Sequence, residues 1–296
     1  MNLVVNAVRE DADIGTLTEH EFEQFRRIAY DTAGIDLRPG KEQLVSARVG
    51  KKMRELRITS YKEYLRHVQE DKSGEALIAM IDALTTNHTS FFREMAHFDL
   101  LRNTILPRIR ERQRIAIWSA ACSTGEEPYS IAFCILNELG LRALPKLQIL
   151  ATDISTRVLD KARKGTYPAD RFRDLSPQEL RQFLLRGEQQ WRDWYLVKKE
   201  IRAAITFQRL NLMQQFSHAS PFPLIFCRNV MIYFDRPTQE DLVRRLARCL
   251  EPGGYLFIGH AESLNGLDQP LEYVRPAVYR KPETGGPFQQ KGTGKK

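Results

Sequence analysis

The sequence predicts an α/β protein with a Rossmann-like, mostly parallel sheet, preceded by a small all-α domain. From about residue 110 onward, apolar strand-like runs alternate with helical segments, which is typical of a parallel sheet covered on both faces. Residues 16–70 instead follow helical periodicity. Residues 167–200 interrupt the alternation with a segment of strand-like composition, which predicts an inserted small β-subdomain.

These patterns divide the 296-residue chain into successive parts. We expect a helical N-terminal domain over residues 15–72 and a linker over 73–90, introduced by the polar stretch DKSGE. The α/β domain is expected over 91–281, with the insertion near 167–200. Residues 282–296 are poor in apolar side chains, and this composition predicts a disordered tail.

The first two helices are indicated by capping residues and by an apolar stripe. The first helix opens with a capping-box pattern from Thr18 to Glu21 and closes at Gly34. The second places four apolar residues on one helical stripe: Val45, Val49, Met53 and Leu56.

The α/β domain is predicted element by element from its apolar runs. RIAIWSA predicts the first strand and PYSIAFCILNELG a helix, with Pro128 in the first turn and Gly140 past the end. LQILATD and STRVLDKARKG predict the next strand and helix. ITFQRLNL and FPLIFCRNV predict two later strands, and TQEDLVRRLARCLEPGG with YLFIGH predicts the last helix and strand.

Composition indicates a soluble protein of a reducing compartment. The opening MNLVVNAVREDADIG lacks the apolar run of a signal peptide, and no apolar stretch approaches the roughly 18–20 residues of a membrane span. The four cysteines are scattered without CxxC spacing, and the six histidines show no zinc-like pairing. We therefore expect a cytoplasmic protein without a metal.

The net charge of +8 is concentrated outside the α/β domain. Residues 38–72 carry ten Lys or Arg against five Asp or Glu, and residues 281–296 carry four Lys against one Glu. The remaining chain is therefore about neutral. A nucleic-acid groove in the α/β domain is not favoured, because such a groove needs clustered basic residues.

The turn after the first predicted strand, Ser119–Glu127, is the first candidate binding site. In open α/β sheets, ligands bind beyond the carboxyl ends of the strands. A dinucleotide site would place GxGxxG there, but this turn has only Gly125 and adds the carboxylates of Glu126 and Glu127, which repel phosphate. The acids could simply complement the positive end of the helix. Alternatively, they suit a cationic nucleoside such as S-adenosylmethionine, with the glycine allowing a close approach to it.

Polar residues follow three other predicted strands. Asp153 ends ILATD, where an acid can accept hydrogen bonds from a ribose diol or can cap the next helix. Asn211 in FQRLNLM is placed to meet an adenine edge. Asn229 and Tyr233 follow LIFC at a further strand end. Together with the first turn, these residues favour the ribose role for Asp153.

Four motifs in this order resemble the chemotaxis receptor methyltransferases, the CheR family. They are TTNHTSFFRE (85–94), WSAACSTGEEPYSIA, ATDIS and IFCRNVMIYF. The resemblance extends from the helical domain to about residue 280. It implies a class I S-adenosylmethionine-dependent methyltransferase fold and methyl transfer to glutamate side chains on cytoplasmic helices of methyl-accepting chemoreceptors. S-adenosylhomocysteine would be the product.

The resemblance also implies roles for individual residues. Arg93 and Tyr233 match residues close to the transferred methyl group. The positions that match cofactor-binding residues are Asn87, Thr89, Arg93, Glu127, Asp153, Asn211, Leu212, Asn229 and Val230.

This chemistry agrees with the residue types present. A glutamate carboxyl with a pKa of about 4.3 is already an anionic nucleophile at neutral pH, so no general base is needed. The sequence shows no His/Asp or Cys/His constellation suited to that role. We therefore assign positioning roles to Arg93 and Tyr233; the open alternative for Arg93 is a salt bridge to Glu94.

The basic side of the second helix has a partner under this hypothesis. Arg48, Lys51 and Arg54 project opposite the apolar stripe, and a cationic face would attract receptor segments rich in glutamate. A merely solvated basic face is the alternative. We expect a monomer that meets the membrane only through its receptors.

Two other functions remain open from the sequence. A nucleic-acid methyltransferase would need basic and stacking residues around the cleft, and a non-catalytic S-adenosylmethionine-sensing adaptor would be expected to have lost motif positions. The insertion begins LRGEQQWRDW and lacks the Gly-x-Gly loop of family members that tether a receptor C-terminal pentapeptide, so the sequence does not favour that tether.

Overall fold

The computed structural model describes residues 14–86 and 88–283. It divides the chain into two compact units, with the boundary between Thr86 and Asn87. The cofactor-binding prediction for Asn87 and the predicted tail from residue 284 onward lie outside the described residues. Within the described ranges, no helix is long and apolar enough to cross a membrane.

The first unit is a bundle of helices, as the sequence predicts. Its helices are α1 Glu19–Ala33, α2 Glu42–Leu56, α3 Tyr61–Glu70 and α4 Glu75–Leu84. The capping box between Thr18 and Glu21 is present, and Gly34 ends α1 with a φ of 69°, which a glycine adopts without strain. Val45, Val49 and Met53 are fully buried.

Two predictions for this unit are wrong. The predicted linker 73–90 contains α4, whose Ile78, Ile81 and Leu84 are buried, so residues 75–84 belong to the bundle core. DKSGE is a tight turn held by the Asp71 side chain. Leu56 leaves the predicted stripe and is 48% exposed, because α2 ends there and Arg57 turns the chain away with a φ of 59°.

The second unit is the predicted α/β domain. Its strands in chain order are β1 Ile115–Ala120, β2 Leu147–Asp153, β3 Thr166–Pro168, β4 Leu184–Arg186, β5 Trp194–Val197, β6 Ile205–Arg209, β7 Phe222–Cys227, β8 Leu250–Phe257, β9 Glu272–Arg275 and β10 Val278–Arg280. Its helices are α5 Met95–Leu100, α6 Leu106–Ile109, α7 Glu126–Leu139, α8 Thr156–Lys164, α9 Pro177–Phe183, α10 Lys199–Ala203 and α11 Arg236–Cys249.

Seven strands form the main sheet in the order β6-β2-β1-β7-β8-β10-β9. The first five are parallel, and β10 and β9 are antiparallel additions that the sequence did not reveal. β1 lies between β2 and β7, with Ala120 opposite both Thr152 and Cys227. The strand order therefore reverses at β1, and the ends of β1, β2 and β7 meet at one edge.

Helices cover both faces of this sheet. Ile115 and Ile117 of β1 lie in one apolar cluster with residues of α5 and α7, whereas Trp118 lies in a second cluster with residues of α11. All six residues of β1 are buried, which explains its unbroken apolar run. Within the segment predicted as an insertion, β3, β5 and β4 form a small antiparallel sheet.

Candidate active site

The turn after β1 is shaped by the helix that follows β2. Gly125 has a φ of 97°, and a Cβ added there would lie 2.8 Å from the Ala162 Cβ and 2.8 Å from the Tyr167 hydroxyl. The sequence suggested that this glycine permits a close approach to a nucleoside. The structure gives a different reason, because the neighbours that occupy the missing side chain's position belong to α8 and β3.

The two glutamates of this turn have different environments. Glu126 is 2% exposed, and its Oε2 accepts a hydrogen bond of 2.6 Å from the Thr124 hydroxyl. Glu127 accepts from the Ser119 hydroxyl at 2.7 Å and pairs with Arg228 at 2.9 Å between Oε2 and Nη1. Burial raises the pKa of both carboxyls, and for Glu127 the Arg228 guanidinium opposes that rise.

Arg228 directly follows β7 and joins three segments of the chain. Its side chain is 2% exposed, and its Nη2 lies 3.0 Å from Glu94 Oε2. It also pairs with Glu127 and donates a hydrogen bond to the Arg93 carbonyl oxygen. Glu127 therefore does not stand as an isolated negative charge. With both carboxyls ionised, the cluster of two glutamates and one arginine carries one net negative charge.

Glu94 is held as an anion by its neighbours. Burial alone would raise its pKa, but Arg228, the His260 backbone N–H and the Asn229 side chain bring the pKa of Glu94 below its usual value. The Asn229 Nδ2 donates to Glu94 Oε1 at 3.4 Å, and the His260 N–H donates to the same oxygen at 3.1 Å. The alternative salt bridge between Arg93 and Glu94 is therefore replaced by the pair with Arg228.

The turn after β7 is anchored by Glu262, a residue that the sequence analysis missed. Its Oε2 accepts the N–H of Asn229 at 2.9 Å and that of Gly259 at 2.5 Å, and its Oε1 accepts the N–H of Ile232 at 3.2 Å. Asn229 has a φ of 58° within this turn. A 3₁₀ turn then carries the chain to Tyr233, whose N–H donates to the Val230 carbonyl oxygen at 3.2 Å.

Asp153 ends β2 and faces the turn after β1. Its Oδ2 accepts the Ser123 N–H at 2.9 Å and its Oδ1 accepts the Ser155 N–H at 3.0 Å. The N-cap of α8 is Ser155, whose hydroxyl accepts the Val158 N–H. The alternative role of Asp153 as that N-cap is therefore wrong.

Asn211 and Leu212 follow β6, the neighbour of β2. β6 ends at Arg209 opposite Asp153, so both residues lie beyond the same sheet edge. The Asn211 Oδ1 accepts the Met213 N–H at 2.9 Å, and the buried Leu212 accepts a hydrogen bond from Arg245 at its carbonyl oxygen. The loop after β6 is therefore held by a hydrogen bond within it and by Arg245 of α11.

The segment that carries Thr89 and Arg93 reaches this edge through Glu94. The Arg93 Nη1 donates to the His88 carbonyl oxygen at 2.8 Å, and the Thr89 carbonyl oxygen accepts from Arg171 at 3.2 Å. Through Glu94, this segment is bonded to Arg228 and Asn229 in the turn after β7. Arg48, Lys51 and Arg54 belong to the separate helical unit.

One group of candidate metal ligands occurs among the residues that the structure describes: Glu94, His97 and His260. Glu94 is already engaged by Arg228, and His97 is buried against the Phe257 ring. Burial and the charge of Arg228 lower the pKa of His97 to about 3, so this imidazole is neutral. The absence of a metal stays a prediction.

Arg228 and Glu94 were missed because their partners are distant in sequence. IFCRNV does place a charge directly after a strand of six buried residues, which is an unusual position for an unpaired arginine. That signal indicates that a partner must exist. It does not indicate that the partners lie 134 and 101 residues away.

Comparison with known proteins agrees with this geometry. Residues 87–279 match the family model "CheR methyltransferase, SAM binding domain", and residues 20–85 match "CheR methyltransferase, all-alpha domain". Chemotaxis protein methyltransferases of Borreliella burgdorferi and Salmonella typhimurium are 40% and 39% identical to this chain. The alignments cover 90% of this chain and 95% of the first relative, and 89% and 90% for the second.

A further relative, chemotaxis protein methyltransferase 2 of Pseudomonas aeruginosa, is 40% identical over 88% of this chain and 93% of its own length. The matched family domains coincide with the two compact units. The chain therefore belongs to the CheR methyltransferase family, and its cofactor is S-adenosylmethionine.

Proposed function

We propose that this protein methylates specific glutamate side chains on cytoplasmic helices of chemoreceptors and so forms glutamyl methyl esters for sensory adaptation. The observation that carries the proposal is the similarity to chemotaxis protein methyltransferases over about nine tenths of both chains. The proposal includes action in the cytoplasm as a monomer. The adaptor and nucleic-acid alternatives have no comparable support.

The charges of the site fit S-adenosylmethionine. The cofactor carries a sulfonium and an ammonium against one carboxylate, so it is a net cation. The cluster of Glu94, Glu127 and Arg228 carries one net negative charge when both carboxyls are ionised. Asp153 lies at the strand end that suits a ribose diol. When bound, S-adenosylmethionine supplies an electrophilic methyl group.

The acceptor chemistry requires positioning, and no proton needs to be removed. A glutamate side chain is ionised at neutral pH, since its ordinary pKa is about 4.3. His97, the buried histidine of the site, is 1% exposed and therefore shielded from an incoming substrate. In the proposal, Arg93 holds the cofactor carboxylate or the incoming substrate carboxylate, and Tyr233 makes a hydrogen bond near the methyl group. Such alignment can contribute about 7–11 kcal/mol to lowering the barrier.

The decisive experiment uses methyl-labelled S-adenosylmethionine and receptor-containing membranes. We expect label on the receptor that mild base releases as methanol, because carboxyl methyl esters hydrolyse readily. Membranes without chemoreceptors serve as the control. Base-stable label, or label found only on nucleic acid, would contradict the proposal.

The basic surface of α2 is proposed to contact the receptor through Lys51 and Arg54. Both side chains are exposed. The expectation that Arg48 projects with them is wrong: its guanidinium donates to the Leu84 carbonyl oxygen and, at 2.7 Å, to the Thr86 hydroxyl. Arg48 therefore holds the end of α4 and is left out of the proposed contact.

Reversing both exposed charges, Lys51→Glu with Arg54→Glu, should raise the KM for receptor roughly tenfold, since each exposed ion pair contributes up to about 1 kcal/mol. The affinity for S-adenosylhomocysteine, measured by calorimetry, should not change. Added salt should reduce the difference from the unaltered protein.

A matched control makes the same charge change on α3. Lys62→Glu with Arg66→Glu alters two exposed cations of the same unit, spaced one helical turn apart. We expect this pair to leave the KM for receptor near its original value. Equal effects of the two double variants would mean that only net charge matters and that α2 is not the contact.

A further inference from the structure

The strongest unassigned feature is the buried ion pair between Arg228 and Glu94. The two residues are separated by 134 positions, and their side chains are 2% and 12% exposed. The Arg228 Nη2 lies 3.0 Å from Glu94 Oε2, and its Nε donates to the same oxygen at 3.3 Å. Removing either partner would leave the other charge buried and uncompensated, so this ion pair is costly to break.

This pair joins the two segments that carry Arg93 and Tyr233. Arg93 immediately precedes Glu94, and its carbonyl oxygen accepts a hydrogen bond from Arg228. On the other side, Asn229 follows Arg228 and donates from its amide to Glu94. The side chains of Arg228 and Asn229 therefore hold the other segment by both its Glu94 side chain and its Arg93 backbone carbonyl.

The backbone around Glu94 needs such support. Phe92 and Glu94 have φ values of 52° and 61°, in the left-handed region that residues with a Cβ seldom occupy. The Phe92 N–H is held by the Ser130 hydroxyl at 2.9 Å, and Glu94 is held by Arg228. Residues kept in this region persist only where surrounding contacts fix them, and they are frequent at active sites.

The third contact of Arg228 reaches the start of α7. Its Nη1 lies 2.9 Å from Glu127 Oε2. One guanidinium thus uses all three of its nitrogens, and its planar fork sets the relative positions of two carboxylates. A lysine would retain the positive charge without that fork.

We propose that Arg228 and Glu94 form a positioning pair that sets Arg93 and Tyr233 relative to one another for methyl transfer. Neither residue needs to touch the reacting atoms. The inference depends on the proposed function only for its kinetic test.

The test compares Arg228→Lys with Glu94→Gln. We expect each variant to lower kcat about 100-fold, the size of loss that a displacement of about 1 Å produces. The KM for S-adenosylmethionine should change much less, because neither variant replaces Glu127, a carboxylate proposed to bind this cation. The double variant should be about as slow as either single variant, since both remove the same interaction. The kcat values are divided by the fraction of protein that binds S-adenosylhomocysteine, which removes the effect of misfolded material.

Arg112→Lys is the matched control. Arg112 makes a two-bond contact with Glu251, at 2.8 and 2.7 Å across 139 positions, and its side chain is 42% exposed. We expect its kcat to stay unchanged. A normal kcat in Arg228→Lys and Glu94→Gln, or an equal loss in Arg112→Lys, would overturn the inference.

A second measurement does not need the acceptor. Amide hydrogen exchange in the complex with S-adenosylhomocysteine should become faster in both segments, 92–94 and 229–233, in either pair variant. Unchanged exchange would also overturn the inference. If the unaltered protein forms no base-labile ester, the proposed function fails while this measurement still decides the positioning role.

Discussion

Replacing Gly259 by alanine is expected to weaken binding of S-adenosylhomocysteine strongly without unfolding the protein. A Cβ at this position would lie 2.2 Å from the Asn229 Nδ2 and 2.9 Å from the Asn229 backbone nitrogen. The side-chain amide could rotate, but the backbone nitrogen cannot move without breaking its bond to Glu262. Asn229 must therefore shift, and with it the turn that leads to Tyr233.

The size of the effect follows from overpacking. Inserting a methyl group where no space exists typically costs about 1–3 kcal/mol. If this energy is lost entirely from cofactor binding, the affinity falls roughly 5- to 150-fold. Calorimetry with S-adenosylhomocysteine measures the change, and thermal unfolding shows whether the fold survives.

Gly15→Ala provides the control for this substitution. The nearest atom to its added Cβ is the Thr59 carbonyl oxygen at 3.9 Å, an ordinary contact. We expect Gly15→Ala to bind S-adenosylhomocysteine as the original protein does. An unchanged affinity in Gly259→Ala would mean that the Asn229 turn does not contribute to the cofactor site.

The parallel core of the α/β unit could be predicted from the sequence because its signals are local. β1 is buried along its whole length, and α7 has Pro128 in its first turn and Gly140 past its end. Each of these features depends on neighbouring residues alone. The helical unit was predicted for the same reason, except at α4.

The errors arose where tertiary contacts decide the outcome. DKSGE is interpreted from the sequence as the beginning of a linker, but a ten-residue helix starts at its last residue, Glu75, and buries Ile78, Met80 and Ile81. β9 and β10 are four and three residues long, and strands of that length give too few alternations to be recognised. They are defined by their pairing in the sheet, β10 with β8 and β9 with β10.

Individual candidate residues of the site can be predicted from the sequence, but the contacts between them cannot. Strand ends identified Asp153 and Asn229, because a parallel sheet brings such ends together. The network around Arg228 could not be found in this way, since its acids lie on segments far away in the sequence. Glu262 was missed for another reason: it accepts bonds from backbone N–H groups, which any sequence supplies.

Replacing Asp153 by asparagine or alanine is expected to remove most of the affinity for S-adenosylhomocysteine. The carboxylate accepts two backbone N–H groups, from Ser123 and Ser155, one on each oxygen. In the proposed ribose role, the same carboxylate also accepts hydrogen bonds from the ribose hydroxyls. Asparagine has one accepting oxygen, and its NH₂ group would face one of the two backbone donors.

Each hydrogen bond to a charged group contributes about 1.5–3 kcal/mol, so losing one lowers affinity roughly 10- to 150-fold. Asp160→Asn is the matched control: Asp160 lies on α8, is 65% exposed, and pairs with Arg163 on the surface. Calorimetry should show a large loss for Asp153→Asn and none for Asp160→Asn. An affinity within threefold of the original in Asp153→Asn would exclude the ribose role. The carboxylate at the end of β2 would then have the structural role of joining Ser123 of one turn to Ser155 of the next.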